Sequence, residues 1–292
     1  MLLASPLRGR PDEVRRVVGG RLVVITGASR GIGYELTRRL VAVGAEVVGI
    51  ARGADELDRM GDEIAAKRGV FHPLPGDVGD KQAAKRGVFH PLPGDLRDTA
   101  WAEHAARQIL RDFGTPHLLV SNAGHSIHRS LAEYTDRFHD VSRTAGVNYL
   151  GAVALALPLL ESMIERGEGH LISVSTTGVD IPLPAWSAYT ASKAAFEMWL
   201  TTVGPELRAA GVAVTSVHMA RVTTAMSAPT AGRYRVHEMT PTQAADILCR
   251  AIVTREPLIA PLWARLAAVA SAAFPVAIQR LWQAAWQRGV RP

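Results

Sequence analysis

Cysteine is nearly absent from the chain. Cys249 stands alone among 292 residues, which excludes an internal disulfide and any zinc site built on cysteine thiolates. Lysine is almost as scarce, with four Lys among 33 basic residues. The formal charge is +6, yet the arginines are scattered. No basic run and no interleaved aromatic platform offers a surface to nucleic acid, and none is expected as a partner. The longest uncharged apolar run of the C-terminal tail, 266–278, is interrupted by Pro275 and is too short to span a bilayer. The N-terminal MLLASPLRGRPDEVRR has a brief apolar start with no basic stretch before it, unlike a signal peptide. The expected location is cytoplasmic.

What is present alternates. Apolar strand-like stretches at 21–26, 47–50, 118–121, 170–176 and 212–219 are separated by helical patterns at 54–69, 147–167, 187–211 and 241–253. Strands that read as continuous Val, Ile and Leu are buried on both faces, which requires a parallel sheet between helix layers. The expected fold is a three-layer, doubly wound α/β domain of the Rossmann kind. It spans 20–255, with an N-terminal arm at 1–19 and an amphipathic tail at 256–292. Function in such sheets gathers beyond the carboxyl ends of the strands.

The first strand ends in TGASRGIG. Gly27, Gly31 and Gly33, with Ser29, Arg30 and Ile32 between them, form a glycine-rich turn into a helix, where free amide groups and the helix dipole favour a pyrophosphate. The spacing is G-x3-G-x-G, and its place between a strand and a helix is the context nucleotide binding requires. The second strand ends at Arg52, without the acid that usually holds the ribose hydroxyls of NAD. Two guanidinium groups, Arg30 and Arg52, suit a 2′-phosphate, so NADP(H) is expected in preference to NAD(H).

Tyr189 and Lys193 lie four residues apart at the start of a helix and so share a face. Lys193 is the one lysine outside the segment 67–85, in a chain that otherwise uses arginine. A tyrosine ordinarily titrates near ~10. A neighbouring ammonium, joined by an oxidised nicotinamide, is expected to lower that value and make the phenol a general acid and base. His125 and His128 follow the turn after the 118–121 strand. Without a third ligand their spacing does not make a metal site, so a pocket or surface role is expected and no metal.

TGASRGIG, SNAG, VNYLG and YTASK, in this order, resemble the short-chain dehydrogenase/reductase superfamily over roughly residues 20–255. The resemblance implies a catalytic tetrad. Tyr189 and Lys193 carry over directly, and Asn148 takes the place of the asparagine at a helix kink that supports a proton relay. The serine falls on Ser175 or Thr176: Thr176 has the family's spacing to the tyrosine, whereas Ser175 has its residue type and is slightly favoured. Asn122, Ala123 and Gly124 match the segment that lines the cofactor. Thr224 matches the threonine that contacts the nicotinamide carboxamide, although Met219-Ala220 stands where the family has Pro-Gly. Segments 122–153 and 217–230 are similar to actinobacterial reductases related to the reductase domain of fatty acyl-CoA reductases. That implies an oxidoreductase acting on a hydrophobic, lipid-like carbonyl or alcohol, such as a fatty aldehyde or acyl derivative. Rival readings are a reductase of steroid, polyketide or 3-ketoacyl ketones, and a non-catalytic NADPH-binding protein. A homo-oligomer, dimer or tetramer, is expected.

One stretch, AAKRGVFHPLPGD, occurs twice, at 65–77 and at 83–95. In the family the third strand ends in an aspartate that contacts adenine, and both Asp77 and Asp95 qualify. Each copy has two prolines, which only an edge strand tolerates. The expectation is one strand written twice, with the second copy in the sheet and the first looped out; an extra edge strand is the alternative. In the tail, Trp263, Trp282 and Trp286 with Arg265, Arg280 and Arg288 suit either a helix packed on the core or a partner subunit, or one lying on a membrane surface.

Overall fold

The computed structural model describes residues 9–67, 87–181, 183–230 and 238–289. A seven-stranded sheet runs in the order β3-β2-β1-β4-β5-β6-β7, every neighbouring pair parallel. The strands are β1 (Leu22–Thr26), β2 (Glu46–Ala51), β3 (Val88–Pro93), β4 (Leu118–Ser121), β5 (Gly169–Thr176), β6 (Val212–Met219) and β7 (Leu258–Ile259). The helices are α1 (Pro11–Val18), α2 (Gly31–Ala42), α3 (Ala54–Lys67), α4 (Thr99–Asp112), α5 (Phe138–Ala145), α6 (Gly151–Arg166), α7 (Ser187–Ala209), α8 (Pro241–Thr254), α9 (Leu262–Ala273) and α10 (Pro275–Gln287).

β1 and β4 are buried at every residue, which is why they carry no polar alternation. Side chains on one face of the sheet pack with α1, α2, α3 and α8 around Leu36, Leu40, Leu57 and Leu248. Those on the other face meet α4, α6 and α7 around Ile109, Leu155, Leu159 and Phe196. The sheet reaches past residue 255 to take in β7. The N-terminal arm also joins the domain: Val14 and Val18 of α1 lie on one helical face and are buried. Burying each is worth about 1.5–3 kcal/mol.

β3 comes from the second copy of the repeat and lies at the sheet edge. The amides of Val88 and Gly94 donate to Ala45 and Ala51 on its inner side. Strand residues of even number therefore face β2, while Pro91 and Pro93 turn their nitrogens to the open edge, where no donor is needed. Asp77, and the first copy beyond α3, lie outside the described residues. The run Phe138–Arg166 is long and apolar enough to cross a membrane by length and composition, but within this domain α6 packs against α4 and buries Leu155, Leu159 and Met163.

Candidate active site

The carboxyl ends of β1, β2, β4, β5 and β6 converge on one edge of the sheet. The glycine-rich turn leaves β1 there. Gly27 has φ +69°, a left-handed conformation, and a Cβ on Gly33 would sit 2.1 Å from the Gly27 carbonyl oxygen. The turn can close this tightly only with glycine at both places. Helix α2 begins at Gly31 with no side-chain cap from Arg30 and no acid in its first turn, so its first amide groups are open toward the edge. That bare, positively polarised helix end fits the pyrophosphate of a dinucleotide. Across the turn, Asn122 Nδ2 donates to the Thr26 and Gly27 carbonyls at 2.9 and 3.2 Å, while Thr26 Oγ1 accepts the amides of Asn122 and Ala123. β1 and the segment after β4 are thereby stitched into one floor. Thr224, in the loop after β6, comes to the same turn: a Cβ on Gly31 would lie 3.2 Å from its methyl group.

Arg52 is exposed just past β2, and its charge reaches Asp95 at the end of β3. Asp95 is held by Arg97, which donates from its amide and its guanidinium at 3.0, 2.8 and 2.5 Å; these bonds keep the carboxyl below its usual range. Arg30 is also at this end, 3.7 Å from Glu56, which accepts a hydrogen bond from Ser29 at 3.0 Å. The contact to Glu56 was not legible in the sequence. An acid four residues past Arg52 reads as an ordinary first-turn residue of α3.

The second half of the site is built on α7. Lys193 is buried and its Nζ donates to the Val174 carbonyl at 2.9 Å. Burial pushes its pKa down to about 8, with Glu197 working in the opposite direction, so it remains mostly charged at neutral pH. One turn earlier, Tyr189 lies beside Thr176. Its phenol is pushed up by burial, against the smaller opposing effect of Thr176. The Lys193 ammonium is aimed at a backbone carbonyl, and desolvation of the phenol dominates its shift.

The two candidate hydroxyls have different surroundings. Thr176 is the hydroxyl at Tyr189, whereas Ser175 is buried on the α7 side of the strand facing Glu197.

Asn148 lies in a π-helical turn, Gly146–Leu150, between α5 and α6, at the position where the sequence implied a kink. It is buried. Its Oδ1 accepts the His125 amide at 2.8 Å, and its Nδ2 donates to the His125 carbonyl at 2.9 Å and to Ser192 Oγ at 2.8 Å. Ser192 in turn donates to the Tyr189 carbonyl at 2.7 Å. Asn148 and Tyr189 are thus linked through a serine that the sequence reading passed over. Gly124 is in the same group: a Cβ there would lie 3.1 Å from Asn148 Oδ1 and 3.5 Å from Lys193 Nζ. His128 rests edge-on against Trp186, with ring centroids 4.9 Å apart, and Trp186 lies 5.9 Å from Tyr189. This aromatic wall also escaped notice, because Trp186 has no spacing signal linking it to a residue 58 positions earlier.

Comparison with known proteins agrees with this geometry. The model of the short chain dehydrogenase family matches residues 21–90 and 82–234, two segments that overlap inside the repeat. An uncharacterized oxidoreductase of Mycobacterium tuberculosis is 36% identical over 282 residues, covering 96% of this chain and 77% of that protein. A fatty acyl-CoA reductase of Acinetobacter baylyi is 36% identical over 261 residues, 89% of this chain and 82% of that protein. The crystal structure of a metagenomic short-chain oxidoreductase in complex with NADP superposes with a TM-score of 0.65 at 27% identity, covering 83% of this chain and 96% of that one. With a glycine-rich turn after β1, a tyrosine and a lysine one turn apart on α7, and these relatives, the chain belongs to the short-chain dehydrogenase family of NAD(P)-dependent dehydrogenases and reductases.

Proposed function

We propose that the protein is an NADPH-dependent oxidoreductase that transfers hydride to or from the carbonyl or alcohol carbon of a hydrophobic, lipid-like substrate, with Tyr189 as general acid and base. The observation that carries this reading is the Tyr189 phenol, set beside Thr176 and one helical turn from the buried ammonium of Lys193. Bound NADPH would supply the hydride. Thr176 orients the substrate oxygen. Burial keeps Tyr189 protonated at neutral pH, which is the state a proton donor to a carbonyl needs. The Lys193 charge offsets the phenolate that remains once the proton has left. Asn148, through Ser192 and the His125 backbone, fixes the π turn beside them and supports proton return.

At the other end of the cofactor cleft, Arg52 and Arg30 would take the 2′-phosphate, and Asp95, held by Arg97, the adenine. Gly27, Ser29, Gly31, Ile32 and Gly33 would enclose the pyrophosphate, and Asn122, Ala123, Gly124 and Thr224 would line the remainder.

The tail supports a hydrophobic substrate. An apolar cavity of about 300 Å³ lies between α9 and α10, lined by Ala267, Ala270, Ile278, Leu281 and Trp282, and by Ile181. Ile181 follows the turn after β5, and its amide donates to the Thr177 carbonyl. The two tail helices meet at 107° and expose Trp263, Leu266, Val269, Phe274 and Leu281, a surface suited to lying on lipid. Leu150 of the π turn and Leu157 and Ile164 of α6 are exposed at seven-residue intervals, which suits a second copy of the chain. The solved NADP complex and the fatty acyl-CoA reductase relative fit the cofactor and the substrate class.

The test is NADPH oxidation with short- and long-chain aldehydes and ketones, run beside Tyr189→Phe. Turnover that favours long chains and is lost in Tyr189→Phe, with NADPH binding retained, supports the reading. Unchanged turnover in the variant refutes the role of Tyr189. Tight NADPH binding without turnover on any carbonyl favours a non-catalytic binding protein.

A further inference from the structure

Behind Lys193 is a charged cluster that the reaction as described does not use. His218 of β6 is buried, with its Nδ1 2.8 Å from Asp180 Oδ2 and its Nε2 3.3 Å from Glu197 Oε1. Asp180 lies just after β5 in the turn that follows Thr176. Glu197 lies on α7, one helical turn past Lys193. The other Glu197 oxygen accepts Ser216 Oγ at 2.7 Å. Ser175 pairs in register with His218 and faces the same carboxylate. Among the described residues, the charged groups facing His218 are therefore Asp180 from the β5–α7 turn and Glu197 from α7, with Lys193 beyond Glu197.

This arrangement is costly unless it is satisfied. The Asp180 and Glu197 side chains are largely covered, at 13% and 19% exposure, and two such carboxylates side by side are stabilised by a cation between them; burial of the imidazole opposes its charge, but the two carboxylates outweigh this and favour the protonated form. The alternative cation is close at hand. Lys193 and Glu197 are four residues apart on one helix face, a spacing at which lysine and glutamate ordinarily pair. Here they form no ion pair: Lys193 donates to Val174 O and Glu197 is spent on His218 and Ser216.

We propose that His218 is a positioning residue that, as an imidazolium bridging Asp180 and Glu197, holds the Glu197 carboxylate off Lys193 and leaves the lysine charge free to act at Tyr189. The bridge also ties the β5–α7 turn to the helix that carries Tyr189 and Lys193, so the strand end bearing Thr176 and the acid–base pair are fixed by one contact. The proposal rests on the reading of Tyr189 and Lys193 given above, and its test needs no turnover.

The four lysines make Lys193 accessible to NMR of lysine-labelled protein, with its signal assigned by its loss in Lys193→Met. In the wild type it should titrate near 8. In His218→Gln, Glu197 is released onto Lys193, and the titration should rise by about one pH unit, as an opposite charge at contact distance produces. In His218→Gln/Glu197→Gln it should return to the wild-type value or below. The pH profile of alcohol oxidation should move upward in the single variant and return in the double one. A titration unchanged in His218→Gln, or one that stays raised when Glu197 is also replaced, overturns the proposal. Should the single variant not fold, wild-type Lys193 must show a second inflection at the pH where the His218 ring resonance titrates; a single inflection then refutes the bridge. Loss of activity in Tyr189→Phe bears only on the reading of the reaction, because the lysine titration is read in resting protein.

Discussion

Replacing Arg52 with alanine should weaken NADPH binding and leave NADH binding nearly unchanged. Arg52 is exposed past the end of β2, and among the described residues it forms no ion pair, so its removal takes nothing from the fold. A hydrogen bond to a charged group is worth about 1.5–3 kcal/mol, which corresponds to a loss of about 10- to 150-fold in NADPH affinity. NADH has no 2′-phosphate and should shift by less than about twofold on the same reasoning. Arg30 should give a smaller effect, because its guanidinium is already 3.7 Å from Glu56 and 60% of its side chain is exposed. Glu56→Gln should accordingly tighten NADPH binding, most visibly at low salt, where exposed charges are least screened. Fluorescence titrations of both nucleotides at two ionic strengths measure all of these. Equal weakening of NADH and NADPH by Arg52→Ala, or weakening of neither, would refute the assignment of the 2′-phosphate to this arginine.

Further outcomes follow from the same geometry. Thr176→Ala should lower kcat by about 10²-fold or more, as loss of an oriented hydrogen-bond donor does, and Thr176→Ser should recover most of it; Ser175→Ala should leave kcat within a few-fold. Comparable losses in both alanine variants would show that the geometric choice between the two hydroxyls is mistaken. Gly33→Ala places a methyl 2.1 Å from the Gly27 carbonyl, an overlap that should cost about 1–3 kcal/mol or more. It should be seen as a lower Tm together with lost nucleotide binding. His170 is buried against Thr215 at 2.8 Å, and burial pushes its pKa down to about 3. The unfolded chain binds this proton below the ordinary histidine value near 6.5, so the stability His170 contributes is complete above that pH and is lost as the pH falls toward 3. Urea midpoints of wild type and His170→Gln at neutral and mildly acidic pH should therefore converge as the pH is lowered, and parallel curves would count against it.

The sequence by itself determined the layer architecture, because a strand buried on both faces can only be written as an apolar run and a covering helix as an amphipathic one. It also determined the glycine turn and the Tyr189–Lys193 pair, since both depend on residues a few positions apart along one strand–turn–helix or one helix. Three features needed the tertiary structure. Two letter-for-letter copies of one segment contain no information about which enters the sheet; that is decided by how each is joined to α3 and α4, and the second copy forms β3. Ser175 and Thr176 are adjacent hydroxyls, and which of them lies beside Tyr189 depends on how α7 is set against the end of β5. The bridge through His218 joins residues 180, 197 and 218, which no local period relates. They meet because β5 and β6 are paired in register and α7 crosses over them. Their partial burial then favours pairing, since little water remains to solvate the charges singly.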